Sequence, residues 1–300
     1  MTGILSSVIM GLMTEKDKSL TSAQKRFVNF LKNQGKASAT ILAYGKDISQ
    51  LVDYLSKKQL TQVTSVLPEH IEGFKENLAV NKYLNKSISR KLNSVKTFFR
   101  WLKTDGLITE DPAVPVSHPK YELSPPRILS KMEYRALRDA CRDDIRAAAI
   151  IEILLQTGLR IGELSRLELE DIKDKEMNIR PYESHSNRMV PINSAAKKAL
   201  NKYLNFRSKT KSQNVFVTKT GRPLLIRNVR STLNRYFQIA DIKDATINSL
   251  RHTFITHQLM AGASVVLIQK LVGHKRLTTT ERYLELIKDK VEETVKLEEL

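Results

Sequence analysis

Between Thr246 and Leu284 the chain reads TINSLRHTFITHQLMAGASVVLIQKLVGHKRLTTTERYL, and three of its side chains, Arg251, His274 and Tyr283, have the chemistry to handle a phosphodiester. A guanidinium stays charged and neutralises a phosphate oxygen, an imidazole donates a hydrogen bond to it, and a phenol hydroxyl can attack the phosphorus. To converge, the three must project from short helices whose other side is buried. The apolar residues Leu259, Val265, Val266, Ile268, Leu271 and Val272 are expected to supply that buried side. No one of these residue types is specific alone. A second guanidinium, Arg160 in LLQTGLRIGELSRLELEDI, completes a phosphate-binding set.

The elements that must position these groups are legible upstream. Ser130 is a good N-cap for a helix through about Arg138, and a long apolar helix follows from Ile145 to Gln156. Gly158 can supply the left-handed residue that ends it, which puts Arg160 on the turn into the next helix. The plain alternative is a structural arginine paired with Glu163. Between Met177 and Ile192 the sequence predicts two short strands joined by a polar turn. Beyond them, VFVTKTGRPLLIRNVRSTLNRYF offers Arg227, Arg230 and Arg235 on a helix as phosphate contacts. His252 and His257 stand five apart, which suits one helical face poorly, and no Cys or carboxylate set completes a metal site, so they read as packing or supporting histidines. No metal, nucleotide or other cofactor is expected, and there is no Walker-type glycine loop.

Length and charge bound the rest. Three hundred residues allow about two domains. The formal charge of +18 points to a polyanionic partner, because Lys and Arg release counterions when they meet phosphates. Charge alone would equally fit a ribosomal or membrane-surface protein. A lone cysteine, Cys141, excludes an intramolecular disulfide and reads as a packed thiol in a reducing compartment. The apolar opening MTGILSSVIMGLMTEKDKS lacks a basic segment before it, and Ser6, Ser7 and Gly11 interrupt it, so a signal peptide is rejected in favour of a tail over residues 1–20. With no stretch of membrane-spanning length, a cytoplasmic protein is expected.

The amino-terminal half reads as a helical bundle. Ser38 to Leu55 carries Ile41, Ile48, Val52 and Leu55 at helical spacing with Lys46 and Gln50 opposite. A second helix starts near Pro68. A third, Ser87 to Leu102, turns Ile88, Leu92, Val95, Phe99 and Leu102 inward and Lys86, Arg90, Asn93 and Thr97 outward. Gly106 ends the bundle, and Asp111-Pro112 with Pro115, Pro119, Pro125 and Pro126 marks a linker.

Taken in order, the Arg160 segment resembles the first arginine motif of the tyrosine site-specific recombinases, or phage integrases. SLRHTFITHQL is similar to their second arginine motif, and LVGHKRLTTTERY to the block that ends in the nucleophile, with the usual interval from His274 to Tyr283. The resemblance extends from Thr21 to Leu284 and implies a mainly α chain of the Xer-like two-domain type, with phage integration, transposon resolution and chromosome-dimer resolution all left open as its role. A helical SAM-like core-binding domain (21–110), a linker (111–127) and an α+β catalytic domain with a small antiparallel sheet (128–285) would be followed by a C-terminal helix (286–300) docking in trans. On the first and third helices of the amino-terminal bundle, Lys46, Lys86, Arg90 and Asn93 would face DNA, as would Arg227 and Arg230 in the catalytic domain.

The implied activity is cleavage and rejoining of double-stranded DNA at paired recombination sites by a homotetramer. It would pass through a 3′-phosphotyrosyl intermediate on Tyr283 and a four-way junction, without metal or ATP. Two departures stand out. The family's hairpin lysine is absent from Met177 to Ala196, and Asn248 replaces the usual histidine three positions before Arg251, keeping its hydrogen-bonding capacity but not its proton chemistry. His185, in the hairpin turn, is the candidate acid for the leaving 5′-oxygen, with Lys219 or water as the alternative. The rival readings are a type IB topoisomerase and a DNA-binding protein on a decayed recombinase scaffold. The target sequence and any accessory proteins are not legible.

Overall fold

The computed structural model describes residues 18–122, 124–182 and 186–287. Among the described residues, twelve α-helices and one two-stranded sheet fall in two compact units divided after Leu123. Residues 1–17 of the expected tail and His185 lie outside the described residues, while Ser19 and Leu20, the end of that tail, begin a helix instead.

In the first unit, helices α1 (Leu20–Asn33), α2 (Ser38–Lys57), α3 (Pro68–Val80) and α4 (Asn85–Thr104) surround one core. The unanticipated helix is α1. Its buried residues Leu20, Ala23, Phe27 and Leu31 nevertheless recur at helical spacing, and Ser19 caps it by accepting from the Ser22 N–H. Phe27 meets Phe98 edge-on at 5.2 Å between ring centroids, joining α1 to α4. Helix α4 buries Ile88, Leu92, Val95, Phe99 and Leu102, while Lys86, Arg90 and Asn93 stay exposed and Thr97 is half-buried.

Arg90, though exposed, donates to buried Asp47 at 2.6 and 2.9 Å. Lys91 and Ser94 also donate to Asp47, and these partners outweigh its burial and hold its carboxyl below the usual range. The proline-rich segment expected as a linker begins inside the first unit. Ala113 and Val116 bury in the first unit's core, since the Asp111 carboxylate accepts from the Ala113 N–H and turns the chain back.

The second unit contains α5 (Lys131–Ala140), α6 (Ile145–Thr157), α7 (Ile161–Arg166), strands β1 (Glu176–Ile179) and β2 (Arg188–Pro191), and helices α8 (Ser194–Phe206), α9 (Ile226–Ile239), α10 (Ile247–Met260), α11 (Val265–Val272) and α12 (Leu277–Glu281). Ser130 and Glu133 form the reciprocal cap of α5. Helix α6 is nearly all apolar because it is central, packed against α8, α10 and α5. The strands pair antiparallel with Met177 opposite Val190. Cys141 is buried beside α6, and burial pushes its thiol up to about 11, so it is an inert packed side chain. No described helix is long and apolar enough to cross a membrane.

Candidate active site

Three guanidinia converge where α6 ends, where β2 begins and along α10. Gly158 closes α6 in the left-handed region at φ 62°, and a Cβ there would sit 2.4 Å from the Phe254 ring, so only glycine fits. The reversed chain brings Arg160 to the start of α7. From there Arg160 donates to Glu163 at 3.0 Å, to the Val272 carbonyl at 3.1 Å and to the Gly273 carbonyl at 3.0 Å. Arg251, inside α10 and 6% exposed, donates to the Gly158 carbonyl and to the same Val272 carbonyl, each at 2.6 Å. Arg188 on β2 donates to both Glu163 oxygens at 2.9 and 2.8 Å and to the Leu271 carbonyl at 2.7 Å.

Glu163 is thus the common counterion, and the plain alternative of an Arg160–Glu163 pair is present alongside the cluster. Burial would raise its carboxyl, but the Arg188 and Arg160 contacts win and hold it at about 2. One carboxylate against three guanidinia leaves the cluster positive. Arg251 feels this most: burial, then repulsion from Arg160, lowers it to about 9, which leaves it charged at neutral pH. An anion placed here would relieve both costs.

Tyr283 follows α12 and is 5% exposed, packed with Phe254, Ile255, Leu259, Ile268, Val272 and Ile287. Its hydroxyl lies 2.6 Å from His252 Nδ1. Burial raises its pKa against an opposing pull from the Arg251 charge. His274 stacks on the Tyr283 ring at 17° between planes and bonds the Thr280 hydroxyl through Nδ1 at 2.8 Å. Gly273 bends α11 into His274 at φ 67°, and a Cβ there would stand 3.1 Å from the Arg188 guanidinium.

Arg160, Arg251, His274 and Tyr283 are therefore brought to one region. Asn248 is exposed on the first turn of α10. Lys46, Lys86, Asn93, Arg227, Arg230 and Arg235 are exposed, and Arg235 also bonds the Tyr236 hydroxyl and lies 3.6 Å from Asp144. Lys219 is exposed in the cleft lined by Arg146, Tyr203 and Arg207. Arg188 and His252 join the site without having been singled out for it; His257 packs edge-on against Tyr134 instead.

One expectation is corrected. Val266 is 48% exposed, because successive helix positions point about 100° apart and Ile268 and Val272 define the buried side. The segment after Tyr283 runs as turns to Ile287, whose side chain is buried in its own unit. Residues 288–300, most of the segment expected to form a C-terminal helix docking in trans, lie outside the described residues. Among the described residues, no group of three His, Cys, Asp or Glu side chains could hold a metal ion.

Comparison with known proteins places this geometry. Residues 127–290 match the Phage integrase family, and residues 25–106 match the Phage integrase, N-terminal SAM-like domain. Tyrosine recombinase XerC of Leptospira interrogans is 31% identical over 289 residues, covering 92% of each chain. Tyrosine recombinase XerD of Rickettsia bellii is 30% identical over 269 residues, covering 82% of this chain and 88% of its own. Among solved structures, a lambda integrase dimer bound to a COC′ core site superposes with TM-score 0.76 at 17% identity over 99% of this chain and 83% of that one.

Proposed function

Because the chain belongs to the phage integrase family, the tyrosine recombinases that cut and rejoin DNA strands, we propose that it recombines two specific DNA sites by transesterification at Tyr283. The Tyr283 oxygen attacks the scissile phosphorus. Arg160 and Arg251 hold the non-bridging oxygens, and His274 and Asn248 hydrogen-bond them. The 5′-oxygen leaves with a proton from His185, or from Lys219 or water. A 3′-phosphotyrosyl ester keeps the bond energy, and the 5′-hydroxyl of the partner strand attacks that ester to rejoin DNA without ATP or metal.

Residues 21–110 and 128–285 grip the duplex from two domains joined by 111–127, with Lys46, Lys86, Arg90, Asn93, Arg227 and Arg230 as contacts. Four protomers assemble on two sites and exchange strands through a four-way junction. The observation that carries this reading is the pair of guanidinia sharing the Val272 carbonyl, set in one region with a buried phenol. The set is built to receive an anion and offers one nucleophile to it.

The test is capture of a covalent adduct. Incubating the full chain with fragmented DNA of its source organism and quenching in detergent should yield protein-linked fragments that share one sequence. Tyr283→Phe should yield none. An adduct that survives Tyr283→Phe, or no adduct from the parent protein, refutes this function.

A further inference from the structure

The nucleophile needs somewhere to put its proton. Tyr283 keeps that proton firmly, since burial raises its pKa, and attack on phosphorus is slow unless a base removes it as the O–P bond forms. The neighbouring groups divide sharply in their ability to do so. Arg251 is charged at neutral pH and spends both terminal nitrogens on carbonyls. Asn248 cannot accept a proton. His274 lays its ring parallel to the phenol and bonds Thr280 through Nδ1. His252 alone, among the hydrogen bonds described for the phenol hydroxyl, brings a titratable nitrogen to it, at 2.6 Å.

We propose that His252 is the general base of strand cleavage, taking the Tyr283 proton on Nδ1 and returning it when the strand rejoins. This rests on the recombinase reading above. A neutral imidazole carries its one hydrogen on either nitrogen, and a phenol that retains its proton donates, which leaves Nδ1 as acceptor and Nε2 protonated. Burial and then the Arg251 charge lower the His252 pKa, so the imidazole is neutral and available at neutral pH. In the step, the Tyr283 O–H bond breaks and Nδ1–H forms, the tyrosyl oxygen bonds phosphorus, and the phosphorus–O5′ bond breaks. The O5′ electron pair is protonated by a separate acid or by solvent water. Rejoining reverses this, with the Nδ1 proton returning to the departing phenolate. His252 stands one helical turn after Asn248 on α10, so the helix offers an imidazole four residues beyond the position where the chain carries an amide.

The test uses the full chain and the duplex recovered by adduct capture, once with ordinary DNA and once with sulfur at the bridging 5′ position, a leaving group that needs no proton. His252→Ala should slow single-turnover adduct formation by about 10²- to 10⁴-fold while non-covalent DNA binding is unchanged. His252→Asn places an amide oxygen where Nδ1 stood and keeps a hydrogen bond to Tyr283, yet it should be as slow as His252→Ala. Sulfur should rescue neither variant, because it relieves the leaving group and not the nucleophile. If His252→Ala has lost DNA binding and is misfolded, the Asn variant decides. Near-parental rates with Asn would reduce His252 to positioning, and rescue by sulfur would move it to the leaving-group side. An undiminished His252→Ala would make the contact irrelevant to cleavage. Each of these outcomes overturns the proposal. Loss of the adduct in Tyr283→Phe, established first, keeps the recombinase reading separate from it.

Discussion

Replacing Glu163 with Gln should expose how much of the active-site frame hangs on one carboxylate. Glu163 is buried and accepts from Arg188 twice, from the Arg160 side chain and from the Arg160 backbone N–H at 2.9 Å. Its fall from the ordinary glutamate value of 4.5 to about 2 corresponds to about 3 kcal/mol of stability at neutral pH. A depressed carboxyl contributes fully above its unfolded value and loses the contribution as pH falls through the folded one. The relevant window therefore runs from pH 4.5 down to about 2. Glu163→Gln turns an acceptor into an amide whose N–H₂ faces guanidinium donors, so it should cost about 3 kcal/mol at pH 7. For a unit of this size that is a fall of roughly 6–12 °C in the midpoint of its thermal transition. Scanning calorimetry of parent and variant at successive pH values measures it. The gap between them should be constant from pH 7 to about 5 and shrink below that. A gap that keeps its size down to pH 3, or a variant as stable as the parent at neutral pH, would refute the assignment of Glu163 as the ionised hub.

Two further outcomes follow from surfaces. Lys86→Ala should weaken DNA binding and flatten its salt dependence by about one unit of slope without changing the melting temperature. Arg90→Ala should do both, since it strips buried Asp47 of its bidentate partner; unchanged binding across salt in both variants would take α4 off the DNA. Removing residues 288–300 while keeping buried Ile287 should leave single-site binding near normal and impair paired-site assembly, measured by gel shift with one and two sites. A truncated protein that still recombines at the parental rate would eliminate the trans role of that segment.

The parts of this structure legible in the sequence are those set by local chemistry. The reciprocal cap at Ser130 and Glu133, the left-handed Gly158 and the amphipathic spacing of α2 and α4 each depend on residues a few positions apart. Arg160, Arg251, His274 and Tyr283 were singled out by their residue types and the motifs around them, and the fold brings them to one region. Pairings across long stretches of chain were not legible. Arg188 meets Glu163 from 25 residues away, and His252 meets Tyr283 from 31. Nothing local marks Arg188 as a buried partner, and the poor helical phase of His252 with His257 left packing and supporting roles equally open, of which the contact with the phenol takes the second for His252.

The carboxyl end of α11 explains why the guanidinia gather where they do. A helix leaves its last carbonyls without intrahelical partners, and those groups carry the negative end of the helix dipole. Here Leu271 receives Arg188, Val272 receives Arg160 and Arg251, and Gly273 receives Arg160. The three arginines therefore cap α11 as side-chain donors, and α11 in turn helps Glu163 hold them against their mutual repulsion. Their positions are fixed by neutral acceptors as well as by Glu163, so an anion arriving in this region would meet donors already oriented. The same helix end leads through Gly273 into His274. The guanidinium cluster and the ring that stacks on Tyr283 are thus set from one helix terminus, and a change that unwinds α11 should displace both together.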